Sequence, residues 1–359
     1  MSKISYSKFR NSGFGLVELM ISITLGLVLS TAVIQIFVAS NSSSKLQQSL
    51  AQVQENARFA MRVIGQNVRM SGNMGCMSFD GGADSAGPSI TTIALPASAV
   101  DFGAKTTFVG QDDLASGNAL GAVVGTDAIQ IKRASNEFIR MDSTTTASAT
   151  GITINDNSLG FVEGDYVLVS DCQSVDIFRV SNTPLAEGKG ATELKHAAGA
   201  KNSSASLGKL YGVDADIFSF ETINYFVRDT GRTTPEGKPI NALYVQQTIA
   251  GSGGVMSAAT ELVEGVEDMQ FSYGVDTDAS AAERDVDEYR DAAAVSDWSD
   301  VLSVKIVLQM AGSEDNVVGT TGSTNAQSVV DVSGNVIAND DGRLRQIFTN
   351  VFVIRNKVP

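Results

Sequence analysis

The chain has 359 residues, 43% of them hydrophobic, with only six prolines, enough to bury one large core or two smaller ones and too apolar to be disordered throughout. Its 26 Lys and Arg stand against 40 Asp and Glu, a formal net charge of -14. A surface that acidic repels phosphate backbones, so nucleic acid is not an expected partner.

The first element is a short basic segment, MSKISYSKFRNSG, with Lys3, Lys8 and Arg10 and no acid. It leads into FGLVELMISITLGLVLSTAVIQIFVA, residues 14–39, in which Glu18 is the sole charge. About 20 apolar residues cross a bilayer as a helix, so this stretch is predicted to span a membrane once. The positive-inside rule leaves residues 1–13 in the cytoplasm and sends the body, residues 73–359, to the other side of the membrane. An ordinary cleaved secretory signal fits less well, because its apolar region runs to about 7–15 residues.

The helical pattern outlasts the apolar run. Leu46, Leu50, Val53, Ala57, Ala60, Ile64 and Val68 recur every three or four residues, which lays one apolar stripe along a helix face. With no proline before Gly72, residues 14–72 are predicted to form one nearly continuous helix of about 87 Å. Ser40 to Ser44, Gly26 and Gly65 are its candidate weak points, since serine and glycine form helix less readily than alanine.

After Gly72 short strand-like runs follow, among them DAIQIKR, EFIRM, GITIN, DYVLVS and VDIFRV, bounded by Gly- and Ser-rich turns. DIFSFETINYFVRD and ALYVQQTIA flank TGRTTPEGKPIN, which reads as a hairpin with a mobile loop. VLSVKIVLQMA and IFTNVFVIR are expected to pair across a long polar insert. The fold class is therefore α+β, a long helix laid by its stripe on an antiparallel sheet head with long loops.

Two cysteines, Cys76 and Cys172, lie far apart with no C-x-x-C and no neighbouring histidine, leaving one disulfide or two buried thiols open. In an oxidising periplasm the bridge is expected, closing a loop worth about 4–5 kcal/mol on the chain-entropy model. Asp276, Asp278 and Asp287 in DTDASAAERDVDE echo a calcium loop weakly: Ala281 stands where that loop has glycine, and Asp287 replaces its bidentate glutamate. A solvated acidic loop is the simpler reading. His196 is the one histidine and is expected to be an exposed loop residue. Trp298, before a strong strand, is expected to pack on the sheet rather than anchor a partner. GRTTPEGKP has the wrong glycine spacing for a P-loop, and no G-x-S-x-G or H-E-x-x-H is present. Neither catalysis nor a cofactor is expected.

The stretch RNSGFGLVELMISITLGLVL resembles the class III signal of type IV prepilins, with a basic leader ending in Gly13, then Phe14, then an apolar helix bearing glutamate as its fifth residue. The resemblance implies that a prepilin peptidase cleaves after Gly13 and methylates the new amino terminus of Phe14. It also implies that Glu18 serves assembly. A carboxylate in hydrocarbon costs about 2.5–3.5 kcal/mol unless paired, and the freed amino group of the same chain or of a neighbouring subunit offers the pair; snorkelling of Glu18 to the headgroups is the alternative. VQENARFAMRVIGQNVRMSGNMGC, GDYVLVSDCQSVDIFRV, WSDVLSVKIVLQMA and IFTNVFVIRN are similar to segments of PilW-class minor pilins of type IV pili. This implies a tip-complex subunit that joins other minor pilins and the major pilin, primes pilus assembly, and helps present a tip adhesin. It also implies roles in twitching motility and cell adhesion. A pseudopilin of a type II secretion pseudopilus tip is the alternative within that signal class. A membrane-anchored periplasmic binding protein or hydrolase is the alternative outside it.

Overall fold

A computed structural model of the chain describes residues 15–78, 89–97, 107–146, 149–278, 284–319, 327, 329–330, 336–337 and 341–357. One helix, α1 (Leu16–Arg69), runs unbroken for 54 residues, about 81 Å. Ser40 to Ser44, Gly26 and Gly65 all lie inside it, so the expected weak points do not interrupt it. It stops three residues short of the expected end. Gly72, at φ 69°, turns the chain away in the left-handed conformation that glycine adopts without penalty, and its N–H donates to the Lys132 carbonyl at 2.9 Å.

The head holds two main sheets. In the larger, eight-stranded one, the long strand Asp216–Thr233 pairs on one edge with Ala128–Arg140, Asp216 opposite Arg140 and Tyr225 opposite Ile129. Its other edge is shared between two neighbours. Tyr166–Ser170 pairs with residues 216–219, and Pro239–Thr248 takes over from Thr222. The sheet therefore forks, one branch continuing through Ser174–Arg179 to Ser89–Thr92 and the other ending at Thr260–Glu264. DAIQIKR and EFIRM, expected as two strands, are one, with a register shift opposite Phe218 and Phe220. The Ser89–Thr92 pairing with Ser174–Arg179 is parallel, a departure from the otherwise antiparallel head.

The second sheet has four antiparallel strands in the order Glu288–Arg290, Val266–Val275, Val301–Ala311, Arg345–Val353. The expected pairing of VLSVKIVLQMA with IFTNVFVIR is present and forms one side of this sheet. The expected hairpin is also present, but its loop is anchored: Thr234 N–H donates to the Lys238 carbonyl, and Glu236 N–H donates to the Asp315 carboxylate.

One core joins the helix to both sheets. Val53, Ala57, Ala60, Ile64 and Val68 pack with Val304, Ile306 and Leu308 of the smaller sheet and with Ile131 and Tyr225 of the larger. A second core lies on the branch of Tyr166–Ser170 and Ser174–Arg179, around Val167, Phe178, Ile152 and Ile217. Gly65 marks the closest approach of helix and sheet, because a Cβ built there lies 2.2 Å from a Phe352 ring carbon. Overpacking costs about 1–3 kcal/mol, while the gain in helix propensity from glycine to alanine is about 1 kcal/mol. Gly65→Ala is therefore expected to destabilise by about 1 kcal/mol, and Phe352→Leu on that background to recover part of the loss. A double-mutant cycle by thermal melting checks it.

Candidate functional site

The first half of α1 is the part of the molecule that its own head leaves bare. Leu16 through Val38 include 15 large apolar residues, each 53–76% exposed, on all sides of the helix. Among the described residues nothing packs over that surface, and the helix is long and apolar enough to cross a membrane. Its hydroxyls are turned inward. Ser22 donates to the Glu18 carbonyl at 2.7 Å, Thr24 to Met20 at 3.0 Å and Thr31 to Leu27 at 2.8 Å. Bonded to the preceding turn, these groups ask little of a hydrocarbon surrounding.

Glu18 stands out against this background. It lies in the first turn, where the helix dipole favours a negative charge, and its side chain is exposed to any neighbouring subunit. Gly13 and Phe14, the expected cleavage and methylation positions, lie outside the described residues, as does the leader 1–13.

The second half of α1 is clamped to the head by polar contacts beside the apolar stripe. Gln52 donates to Glu264 Oε1 at 3.0 Å, Asn56 to the Glu264 carbonyl at 3.1 Å and Asn67 to the Tyr225 hydroxyl at 2.7 Å. Asn356, near the other end of the chain, donates to the Ser71 carbonyl at 3.0 Å. Force applied to the helix therefore passes directly into both sheets.

Just past the helix, Cys76 and Cys172 are joined in a disulfide, with Cα atoms 5.2 Å apart and a sequence separation of 96. Cys76 follows the first strand of the small hairpin Asn73–Met74 and Met77–Ser78. Cys172, at φ 65°, occupies the turn between Tyr166–Ser170 and Ser174–Arg179. The bond ties the helix exit to the forked branch.

A buried ionic cluster, which sequence reasoning missed, locks the two sheets together. Arg345 grips Glu267 with Nε and Nη2 at 2.7 and 2.8 Å, and Asp341 with Nη1 and Nη2 at 2.7 and 2.8 Å. Arg343 donates to Glu267 at 3.1 Å and to the Gly312 and Pro239 carbonyls. Pro239 begins a strand of the larger sheet while Glu267 and Arg345 belong to the smaller, so the cluster spans the joint. A signal was present: two arginines one strand period apart in GRLRQIF, immediately before an apolar strand.

The remaining candidates fall apart from one another. Asp276 faces Arg284 at 3.7 Å, and Asp287 accepts from the backbone and hydroxyl of Thr277 at 2.7 and 2.8 Å. Ala281 lies outside the described residues, and among those described no group of three or more His, Cys, Asp or Glu side chains is placed to hold a metal. His196 is buried, contrary to expectation, with its ring 5.1 Å from that of Phe178, and burial pushes its imidazole pKa down. Trp298 packs as expected, 4.9 Å from the Tyr273 ring and 5.9 Å from that of Phe108.

Two family models match the chain. The prokaryotic N-terminal methylation motif covers residues 8–34, the segment that holds Gly13, Phe14 and Glu18. The type IV pilus-assembly protein W model covers residues 224–356, which take in the later part of the long strand and its hairpin partner, the ionic cluster and the whole smaller sheet. The forked branch lies in neither match. No curated protein matches the chain. A methylation motif at the head of an uncovered apolar helix, joined to a pilus-assembly protein W region that clamps that helix, makes the chain similar to prepilins of the PilW class over residues 8–34 and 224–356.

Proposed function

We propose that this protein is a minor pilin of the type IV pilus, trimmed after Gly13 by prepilin peptidase, N-methylated on Phe14, and held in the inner membrane with its head in the periplasm until assembly. It enters the filament near its tip, where it helps initiate assembly with other minor pilins and the major pilin, and supports display of a tip adhesin, adhesion and twitching. The carrying observation is the apolar half of α1, uncovered on every side and bearing Glu18 in its first turn. A bundle of such helices buries the apolar surface and pairs each Glu18 with a neighbour's amino terminus. The disulfide supports a periplasmic head, since disulfides persist in oxidising compartments.

Glu18→Gln keeps shape and removes the charge. It is expected to leave the protein inserted and processed, yet to lower its recovery in sheared pili at least tenfold, roughly the 1.4 kcal/mol that a factor of ten represents. Immunoblots of sheared pili against membranes measure this, and undiminished recovery contradicts the assembly role. Deleting the gene is expected to abolish twitching and to leave exoprotein release intact. The reverse result assigns the protein to a secretion pseudopilus.

A further inference from the structure

The strand Arg345–Val353 closes one end of the smaller sheet; Gln327 meets the Arg345 N–H and Val329–Val330 lies near this strand, but among the described residues no strand is paired with its outer edge. Alternate residues of a strand direct their N–H and C=O groups to the same edge. Ile354 N–H donates inward to the Leu302 carbonyl, so the odd-numbered positions 349, 351 and 353 face outward. Val351 confirms this, for its N–H is met by the side-chain oxygen of the adjacent Asn350 at 2.9 Å and not by a ladder partner.

Beside this edge lies a groove of about 770 Å³, walled by the end of α1 on one side and by Ala128–Arg140 on the other. Val351 and Val353, 43% and 46% exposed, line it with apolar surface. Three arginines, Arg69, Arg133 and Arg355, also line it. Arg133 is paired with Glu221 at 3.2 Å and bonded to Asn136, yet its Nε is buried without an acceptor. Arg69 lies over the Phe352 ring at 5.4 Å, and among the described residues neither Arg69 nor Arg355 has a carboxylate partner. This is a cationic notch in a head that, after Gly72, carries 38 acids against 19 bases.

We infer that the groove receives an extended, carboxylate-bearing segment of a neighbouring pilus subunit, added antiparallel or parallel as a fifth strand beside Thr349–Val353. The edge supplies backbone hydrogen bonds, Val351 and Val353 take apolar side chains, and Arg69 and Arg355 take the acid. The position suits assembly. The groove opens at the junction of helix and head, so a neighbour bundled along α1 has its own head within reach. The inference rests on the pilin reading above and adds how the heads are coupled once the helices have bundled.

The test places the photo-crosslinker p-benzoylphenylalanine at Val351 of the full chain in cells, irradiates, and maps the adduct by peptide mass spectrometry in sheared pili and in membranes. The expected product joins a pilus subunit through a peptide containing Asp or Glu. Its yield is expected to fall about tenfold or more in the Arg69→Glu/Arg355→Glu variant, whose exposed side chains keep the change in melting small, and likewise in Thr349→Pro, which removes an outward N–H. An adduct of undiminished yield in both variants, an adduct peptide without acid, or no adduct from a chain present in pili overturns the inference alone. A chain absent from pili overturns the pilin reading and this inference with it.

Discussion

Arg345→Met is expected to cost about 3–5 kcal/mol of folding stability, because it removes the shared partner of two carboxylates that lie in the joint between the sheets. Glu267 and Asp341 each accept two hydrogen bonds from this one guanidinium, and the side chains of Arg345 and Asp341 are 9% and 5% exposed. A methionine fills much of the volume, so the loss measures uncompensated charge more than cavity. Combining Arg345→Met with Glu267→Gln and Asp341→Asn is expected to recover a large part of it, since burying neutral groups costs less than stranding ions. Urea unfolding of the detergent-solubilised chain measures both.

The same cluster sets an acid dependence. Burial pushes the Asp341 carboxyl up, but the Arg345 and Arg343 contacts outweigh it and hold the group below its ordinary 3.8. A carboxylate lowered in the folded state contributes stability that is complete above the unfolded value and is lost as pH falls through the folded one. Wild-type melting temperature is therefore expected to drop more steeply below pH 4 than that of Arg345→Met.

Breaking the disulfide is the second large effect. Replacing Cys76 and Cys172 together by serine is expected to cost about 4–5 kcal/mol on the chain-entropy model for a loop of this size. That corresponds to a fall in melting temperature on the order of 10 °C. Wild type treated with a reductant should melt with the variant, and non-reducing peptide mapping should recover the two cysteines as one linked pair. The consequence is mechanical as well as thermodynamic: without the bond, the segment leaving α1 is held to the forked branch only by noncovalent contacts, among them the packing of Met74 against Leu168, Val175 and Ile177.

How far the sequence reveals this molecule depends on the range of the determining contacts. The helix was legible because its signals are local, namely no proline and an apolar stripe from Leu46 to Val68 at helical spacing. The terminal strand pair was legible for a related reason: two strongly apolar β runs leave little choice but to bury one another. The fork was not, because Asp216–Thr233 changes partner along one edge at Ser219–Thr222, and no local pattern in that strand marks the handover. Gly65 was read as a weakness by propensity, whereas its missing side chain is what admits Phe352 from nearly 290 positions away. Glycine in a helix carries two opposite meanings, and the distinction lies in what packs against it. His196 was misplaced for a similar reason, its burial arising from the second core and not from its neighbours in ELKHAAGA.

For the candidate site the division is sharper. Glu18 and the apolar run announced themselves, since a lone carboxylate in a membrane-length stretch demands a partner. The ionic cluster and the cationic groove stayed hidden because each is assembled from segments distant in sequence. Arg69, Arg133 and Arg355 line one groove only after the helix end, a strand of the larger sheet and the final turn have been brought together.

The central claim is that this chain reaches its site of action as a processed prepilin. Intact-mass and N-terminal peptide spectrometry on the membrane-extracted protein, from cells with and without prepilin peptidase, tests it most directly. The account predicts a mature chain beginning at N-methylated Phe14 in wild-type cells, and an uncleaved chain where the peptidase is missing. A wild-type chain that retains Met1 to Gly13, or one that begins near Asn41, contradicts it.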